Sequence, residues 1–463
     1  MVNPGASTVS LIPLIKRKLH NLVSDEKFSE ILTGSIWALG ARVLATGFAL
    51  LSSIIVARVY GADMMGIVAV INSFVTLSTI FTLLGTNTAI LRLIPEHISR
   101  YSVSSAHRIY KKTQYFVTAT SLVTGATLIA LAPLLAQKVF SKPHLTPYLT
   151  LAAAFIWARS LMDLNTQAVR GLRLLRTFAF MHLCPQLALL ALLVAATLWY
   201  RRDDSPVCAQ LGAWTLTALI SLAVITRAFR SRIRPYDYLS PTPLRVIIAI
   251  AAPMLVSAAM MYLVGQTGVI ILGIFRPDTE VGYYSAAMRL ANITTFVFQA
   301  INSMTAPKFS ELYHAGRIPD LLHIARKSSK LISWTTFPIL ATLALLGRPI
   351  LSLLYGQAFC AGYPALLLLT IGQFVNSASG STGMFMNMTG HQSILRNIML
   401  ASAGLNILMN FLLVPRFSLL GSAAASMVSI SMWNIAVLHY IKKKFGKNVG
   451  YFPFLPTPRR RNG

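Results

Sequence analysis

Carboxylates are scarce in this chain. Thirteen Asp and Glu stand against 41 Lys and Arg in 463 residues, a formal charge of +28. Twelve of the acids lie in tails or between apolar runs, and only Asp163 sits inside one. Cysteine is equally rare. Cys184, Cys208 and Cys360 form no CxxC pair and no metal-ligand spacing, so neither a zinc module nor a disulfide framework is expected. No P-loop, no HExxH and no Ser/His/Asp arrangement interrupts the apolar stretches. Charged residues of both signs reach only 12%, about half the share of a soluble globular chain.

What fills the chain instead is hydrocarbon. Hydrophobic residues make up 55% of it, and the mean hydropathy is +0.62. Apolar runs of about 20 residues recur from end to end, each long enough for a bilayer core of about 30 Å. They are continuous and do not alternate, which excludes a transmembrane β-barrel. Twelve spans are predicted, at 31–57, 66–85, 115–135, 146–166, 178–200, 209–226, 246–275, 281–305, 331–347, 363–388, 397–414 and 418–441. The basic excess is scattered in short clusters between them, the pattern of membrane topology and not of nucleic-acid binding.

Those clusters fix an orientation. With the N-terminus inside, the inner segments hold thirty Lys and Arg against eight in the outer ones. The positive-inside rule then places both termini in the cytoplasm. The tail "KKKFGKNVGYFPFLPTPRRRNG" is expected to lie against anionic headgroups of membrane lipids. No cleavable signal peptide is visible, because a polar, basic leader precedes the first run. The expected organisation is a cytoplasmic leader (1–30), a six-helix lobe (31–226), a cytoplasmic linker (227–245), a second six-helix lobe (246–441) and a cytoplasmic tail (442–463).

An internal repeat supports two halves. Residues 54–66, "IIVARVYGADMMG", align without gaps on 270–282, "IILGIFRPDTEVG". Ala57 falls on Gly273 and Gly66 on Gly282, an offset of 216 that places span one on span seven and span two on span eight. Repeated halves around a cleft are a common transporter plan, with the binding site at their interface.

Three basic residues remain inside spans: Arg42, Arg159 and Arg289. At a rise of 1.5 Å per residue Arg42 lies about 16 Å in from the start of its span, and Arg159 and Arg289 about 20 and 12 Å in from the outer ends of theirs. A charge at such depth costs at least about 2.5 kcal/mol on insertion scales and normally faces a bundle interior or a wet cavity. Arginine suits an anionic headgroup, since its planar fork offers paired donors and keeps its charge. The competing reading is that each guanidinium caps helix carbonyls or pairs internally. Arg159 precedes Asp163 by four residues, so the two can pair on one helix face; Asp163 is also a candidate for proton or cation coupling. Pro185, Pro253 and Pro338 interrupt spans. Pro253, with Gly265, Gln266 and Gly268 in the same long span, marks a candidate gate or hinge. Gln373, Asn376, Ser377, Asn387, Thr389, Asn406 and Asn410 gather around spans ten and eleven, where polar side chains ordinarily serve helix packing. His182 and His439 read as satisfied core histidines.

The segments "IIVARVYGADMMGIVAVINSF", "LLGTNTAILRLIPEH", "IAIAAPMLVSA" and "EVGYYSAAMRLA" resemble the polysaccharide (O-antigen type) flippases. So does the run from Ile350 to Met427, with "ILSLLYGQAFCAGYPALLLLTIGQFVN", "GMFMNMTGHQ" and "LNILMNFLLVPRFSLLGSAAASM". The resemblance covers roughly 35–440 and extends to the parent superfamily of multidrug, oligosaccharidyl-lipid and polysaccharide exporters. It implies an all-α, polytopic membrane protein of twelve to fourteen helices in two lobes around a central cationic cleft. It further implies alternating access, a polyprenyl-diphosphate-linked oligosaccharide as cargo, and residence in the bacterial plasma (inner) membrane. A polysaccharide polymerase and glycosyltransferases are the implied partners, and no cofactor is. Relatives line the cleft with arginines on spans one and eight, a role that passes to Arg42 and Arg289, with Arg159 helping. Many relatives carry an aspartate in span seven where this chain has Thr267 and Gly268, so that acid's role is absent or moved, with Asp163 the candidate. Two other functions fit the residues less well. A cation-coupled exporter of cationic drugs needs intramembrane acids, and a cavity with excess positive charge would repel its cargo; a membrane sugar polymerase or transferase commonly needs a larger loop.

Overall fold

The computed structural model describes residues 26–199, 202–233 and 242–452, and among these it holds helices and no strand. Fifteen α-helices follow in order: α1 (Glu26–Ile55), α2 (Gly61–Leu83), α3 (Thr86–Arg100), α4 (Val103–Leu134), α5 (Thr146–Ala154), α6 (Ile156–Gly171), α7 (Leu175–Trp199), α8 (Ser205–Arg230), α9 (Leu244–Phe275), α10 (Asp278–Ala291), α11 (Thr295–His314), α12 (Ile318–Tyr355), α13 (Tyr363–Ser379), α14 (Thr382–Met388) and α15 (Gln392–Phe445). Spans one, two and three are α1, α2 and α4. Span four is broken into α5 and α6, and span eight into α10 and α11. Helix α15 carries spans eleven and twelve, parted at Ser418 (φ 53°), three residues beyond Pro415. Parts of the leader, linker and tail expectations (1–25, 234–241 and 453–463) lie outside the described residues.

Seven helical stretches among the described residues are long and apolar enough to cross a membrane: 40–83, 103–139, 175–199, 205–230, 318–355, 357–379 and 392–445. The first and last each hold two spans, so nine of the twelve are covered. Spans four, seven and eight fall outside that set, and of these four and eight carry Arg159 with Asp163 and Arg289. A helix that shields polar groups from lipid has no need of an apolar surface all round. The protein is a multi-pass helical membrane protein with two six-helix lobes.

The apolar packing shows how the lobes meet. One end of the bundle is the basic end, with α3 and the α11–α12 and α14–α15 turns. The other, the sparse end, holds the α1–α2, α4–α5 and α9–α10 turns. At the sparse end a single core runs through both lobes, from Val56, Met65 and Trp214 to Tyr284, Tyr355 and Leu366. At the basic end the core divides. Ile90, Tyr110, Phe229 and Ile247 form one cluster, and Phe309, Leu321, Phe385 and Ile441 another. The lobes thus share one core at the sparse end; at the basic end α9 of the second lobe packs on the N-terminal cluster through Ile247 and Ala251, and the rest of that lobe forms its own cluster.

The fusion rests on a reciprocal crossing of α2 and α10. A Cβ on Gly66 would lie 2.7 Å from the carbonyl carbon of Asp278, and one on Gly282 would lie 3.0 Å from that of Ala62. Residues 66 and 62 become 282 and 278 under the offset of 216. Each glycine therefore meets the counterpart of its partner's contact, as in a two-fold interface. The sequence repeat is thus visible as a pseudo-symmetric helix pair, with glycine needed for close approach of the backbones.

Candidate cationic cleft

The arginines of the N-terminal lobe converge. Arg42 is exposed on α1, and the side chain of Arg170, at the end of α6, lies within coulombic reach of it. The imidazole of His182 on α7 lies within the same reach of Arg42, Arg170 and Arg159. Around it, Phe178 stacks on His182 with centroids 5.3 Å apart, and the Arg170 guanidinium sits 5.5 Å from the Phe178 ring. Among the described residues neither Arg42 nor Arg170 has an ion-pair partner. Helix α6 runs from the sparse toward the basic end, so Arg159 and Arg170 are displaced along it by roughly 16 Å. The result is a column of cations along the N-terminal lobe.

Arg159 is the most compensated member. Its Nε lies 3.3 Å from Asp163 Oδ2, both side chains being about three-quarters buried, yet the Nε lacks an aligned acceptor. Its guanidinium also sits 5.9 Å from the Trp214 ring. Tyr262 of α9 lies within reach of both charges. Asp163 is therefore engaged on its own helix.

Arg289 stands apart from this cluster. It projects from α10 between the lobes, and its Nη1 donates to the Ala49 carbonyl of α1 at 3.4 Å. Ala49 lies seven residues beyond Arg42, roughly 10 Å along the helix. Ser52, Ser53, Gln210 and Arg289 line a small cavity of about 30 Å³. Ser53 Oγ and Tyr355 Oη share a hydrogen bond of 3.1 Å beside it, while the buried Ser52 Oγ has no partner. The structure thus gathers Arg42 and Arg170 around His182, with Arg159 farther along α6, and sets Arg289 at a second level nearer the sparse end.

Of the two gate candidates, Gln266 accepts a hydrogen bond from Ser73 Oγ at 2.8 Å and so ties α9 to α2. Pro253 lies within α9, and its side chain is outside the described residues. The polar set of spans ten and eleven makes cross-helix bonds. Gln373 Nε2 donates to Asn292 Oδ1 (3.0 Å), Asn376 Nδ2 to Gln373 Oε1 (3.2 Å), Asn434 Nδ2 to Asn376 Oδ1 (3.1 Å) and Asn406 Nδ2 to Ser429 Oγ (2.9 Å). This amide network borders a cavity of about 130 Å³ that also touches Gly268 and Tyr284. Apart from Arg289, the C-terminal lobe offers neutral polar groups where the N-terminal lobe offers charge.

A span that ends at 166 leaves Arg170 in a connection, whereas α6 continues to Gly171 and carries Arg170 to the surroundings of His182. The signal for Arg170 was present: Arg159, Asp163 and Arg170 are spaced i, i+4 and i+11, one face of a helix.

Comparison with known proteins agrees with this architecture. Residues 55–363 match the family model described as polysaccharide biosynthesis protein. A probable low-salt glycan biosynthesis flippase, Agl15 of Haloferax volcanii, is 22% identical over 186 residues, 40% of this chain and 39% of that protein. The match thus spans about two fifths of that relative's length. Among solved structures, the lipid II flippase MurJ in an inward closed conformation superposes with a TM-score of 0.71 at 13% identity, covering 89% of each chain. An inward-facing multidrug resistance MATE family transporter of the MOP superfamily superposes with a TM-score of 0.65 at 14% identity, covering 89% of this chain and 98% of that one. These two likenesses carry the fold.

Proposed function

The chain belongs to the polysaccharide biosynthesis protein family, and from that premise we propose that it is a flippase and not an enzyme. Its cargo is a polyprenyl-diphosphate-linked oligosaccharide, moved from the inner to the outer leaflet by alternating access for assembly of a cell-surface polysaccharide. The observation that carries this reading is the uncompensated charge of the N-terminal lobe. Arg42 and Arg170 share the surroundings of His182 with Arg159 and have no acid of their own among the described residues. A diphosphate supplies the missing negative charge and presents oxygens that guanidinium forks match. The polyprenyl tail stays in the bilayer, and the sugar passes between the lobes. No covalent step is required.

The rest of the architecture agrees. Two separate apolar clusters form at the basic end, the side that the positive-inside rule makes cytoplasmic, where a lipid-linked sugar assembled from cytoplasmic donors would load. Arg289, near the fused end, is the next anchor along the path. A multidrug exporter of cationic cargo is the weaker reading: the one acid within a span, Asp163, is held by Arg159, and the cleft repels cations. In this reading sugar polymerases and glycosyltransferases act before and after the chain in the same assembly process.

The test is flipping of a fluorescent polyprenyl-diphosphate sugar in proteoliposomes. Arg42→Ala and Arg170→Ala are each expected to lower the rate, with Arg42→Lys recovering part of it. Normal flipping by both alanine variants in a folded state would refute the cationic cleft. Transport of a lipophilic cation in place of the lipid-linked sugar would favour the exporter.

A further inference from the structure

Among the described residues, one ion-paired cluster around a buried carboxylate joins the two lobes at the sparse end. Asp278, the first residue of α10, is 7% exposed. Its Oδ1 accepts from Lys142 Nζ at 2.8 Å and its Oδ2 from His144 Nε2 at 2.7 Å. Lys142 also donates to the Arg276 carbonyl at 2.6 Å. Lys142 and His144 belong to the turn between α4 and α5 in the N-terminal lobe, and Arg276 and Asp278 to the turn between α9 and α10. Both carboxylate oxygens are therefore occupied by donors from the opposite lobe. The turn that presents Lys142 is itself constrained. A π-helical turn, Leu135–Val139, ends α4, and Ser141 next to Lys142 has φ 53°, a conformation that L residues avoid. Strain of this kind persists only where surrounding contacts hold it. The other contacts between lobes at this end carry no opposite charge. Among the described residues they include the α2–α10 glycine crossing, the Ser53–Tyr355 hydrogen bond and Arg58, whose guanidinium donates to the carbonyls of Ser352, Leu353 and Leu354 at the end of α12.

We propose that Asp278, Lys142 and His144 form a latch that holds the sparse end shut while the cleft is open at the basic end, and that it breaks and re-forms once per transport cycle. The lobes cannot separate at that end without parting Asp278 from both donors. Leaving a charge buried without its partner is costly, so the pair opposes partial opening and makes the transition two-state. The latch is independent of what the cleft carries. It also makes the repeat asymmetric, because the counterpart of Asp278 under the offset of 216 is Ala62, which has no carboxylate to offer.

The experiment reads access to Ser52, which lines the small cavity beside Arg289 between this end and the cleft. Cys184, Cys208 and Cys360 are free, and replacing them by alanine gives a background for Ser52→Cys. A maleimide that does not cross the bilayer is added from the side facing Asp278. Asp278→Asn and Lys142→Met should each speed labelling at least about tenfold, as expected for a shifted two-state equilibrium. The double variant should be little faster than either single one, because each already breaks the same pair. Arg202→Ala, which removes an exposed pair with Asp204 at the same end, should leave the rate unchanged. Parental labelling by folded Asp278→Asn and Lys142→Met, or effects that simply multiply, would overturn the latch. If Asp278→Asn does not fold, Lys142→Met and His144→Ala decide, and parental labelling in both overturns it equally.

Discussion

Adding one methyl group to Gly282 separates two opposing effects. Alanine in a helix interior is favoured over glycine by about 1 kcal/mol, so at an open position the change stabilises. At Gly282 the new Cβ falls 3.0 Å from the Ala62 carbonyl carbon, about 0.5–1 Å inside normal carbon–carbon contact. The obstacle is backbone, which cannot rotate away, so α2 and α10 must move apart. Overpacking of this kind costs about 1–3 kcal/mol, and it falls on the state closed at the sparse end. A change of that size shifts the closed-to-open equilibrium by about 5- to 150-fold. Amide hydrogen exchange measured by mass spectrometry reads the shift, because protection in peptides spanning 61–70 and 276–287 reports opening there. Gly282→Ala and Gly66→Ala should both speed exchange in those two segments. The control is Gly404→Ala in α15, where a Cβ would meet nothing within 4 Å; it should leave their exchange unchanged and slightly raise thermal stability. If both crossing variants exchange like the control, the close approach of α2 and α10 is not what closes that end.

Three further outcomes are expected. Arg170→Ala should weaken binding of an anionic headgroup by about 10- to 100-fold, the worth of one charge-assisted hydrogen bond of about 1.5–3 kcal/mol, measured by competition with inorganic pyrophosphate. Asp163→Asn should leave any ion dependence of transport intact, because Asp163 is engaged by Arg159 at 3.3 Å; an ion dependence that disappears would make Asp163 the coupling group. His391, in the turn before α15, has its pKa lowered by burial and by Lys444, against a hydrogen bond to Thr389 that raises it. The neutral ring is then favoured in the folded state. Its contribution is full above the unfolded value of about 6.5 and is lost as pH falls through the folded one. His391→Gln should flatten that part of the thermal stability profile measured between pH 7 and pH 5.

What could be read in advance followed from simple periodic or additive signals. The spans were legible because lipid demands long apolar runs, and the break inside α15 because two such runs, 397–414 and 418–441, follow one another there. Arg42, Arg159 and Arg289 stood out because charge at depth is rare. Their grouping was not legible, because it depends on how α1, α6 and α7 pack, a tertiary fact with no period in the sequence. Arg170 was lost for a different reason: a span was ended where hydropathy fell, although α6 continues to Gly171 as a helix that is polar along one face. Lys142, His144 and Asp278 looked like ordinary loop residues, since their 136-residue separation carries no local pattern.

The repeat explains why the two halves nonetheless differ in role. A pseudo-two-fold pair needs the same small residues on both sides of the crossing, and Gly66 and Gly282 keep them. Nothing in the crossing demands equal chemistry elsewhere, and the halves have divided it. The N-terminal lobe carries Arg42, Arg159 and Arg170, while the C-terminal lobe carries the Asn292–Gln373–Asn376–Asn434 amide chain and the acid that spans the interface. A diphosphate sugar is divided in the same way, with charge at one end of the headgroup and neutral hydroxyls at the other. If charge is read by one lobe and hydroxyls by the other, Gln373→Leu should discriminate between sugars while sparing pyrophosphate competition, and Arg170→Ala should do the reverse. Equal losses for both ligands in both variants would show that the lobes do not divide the cargo between them.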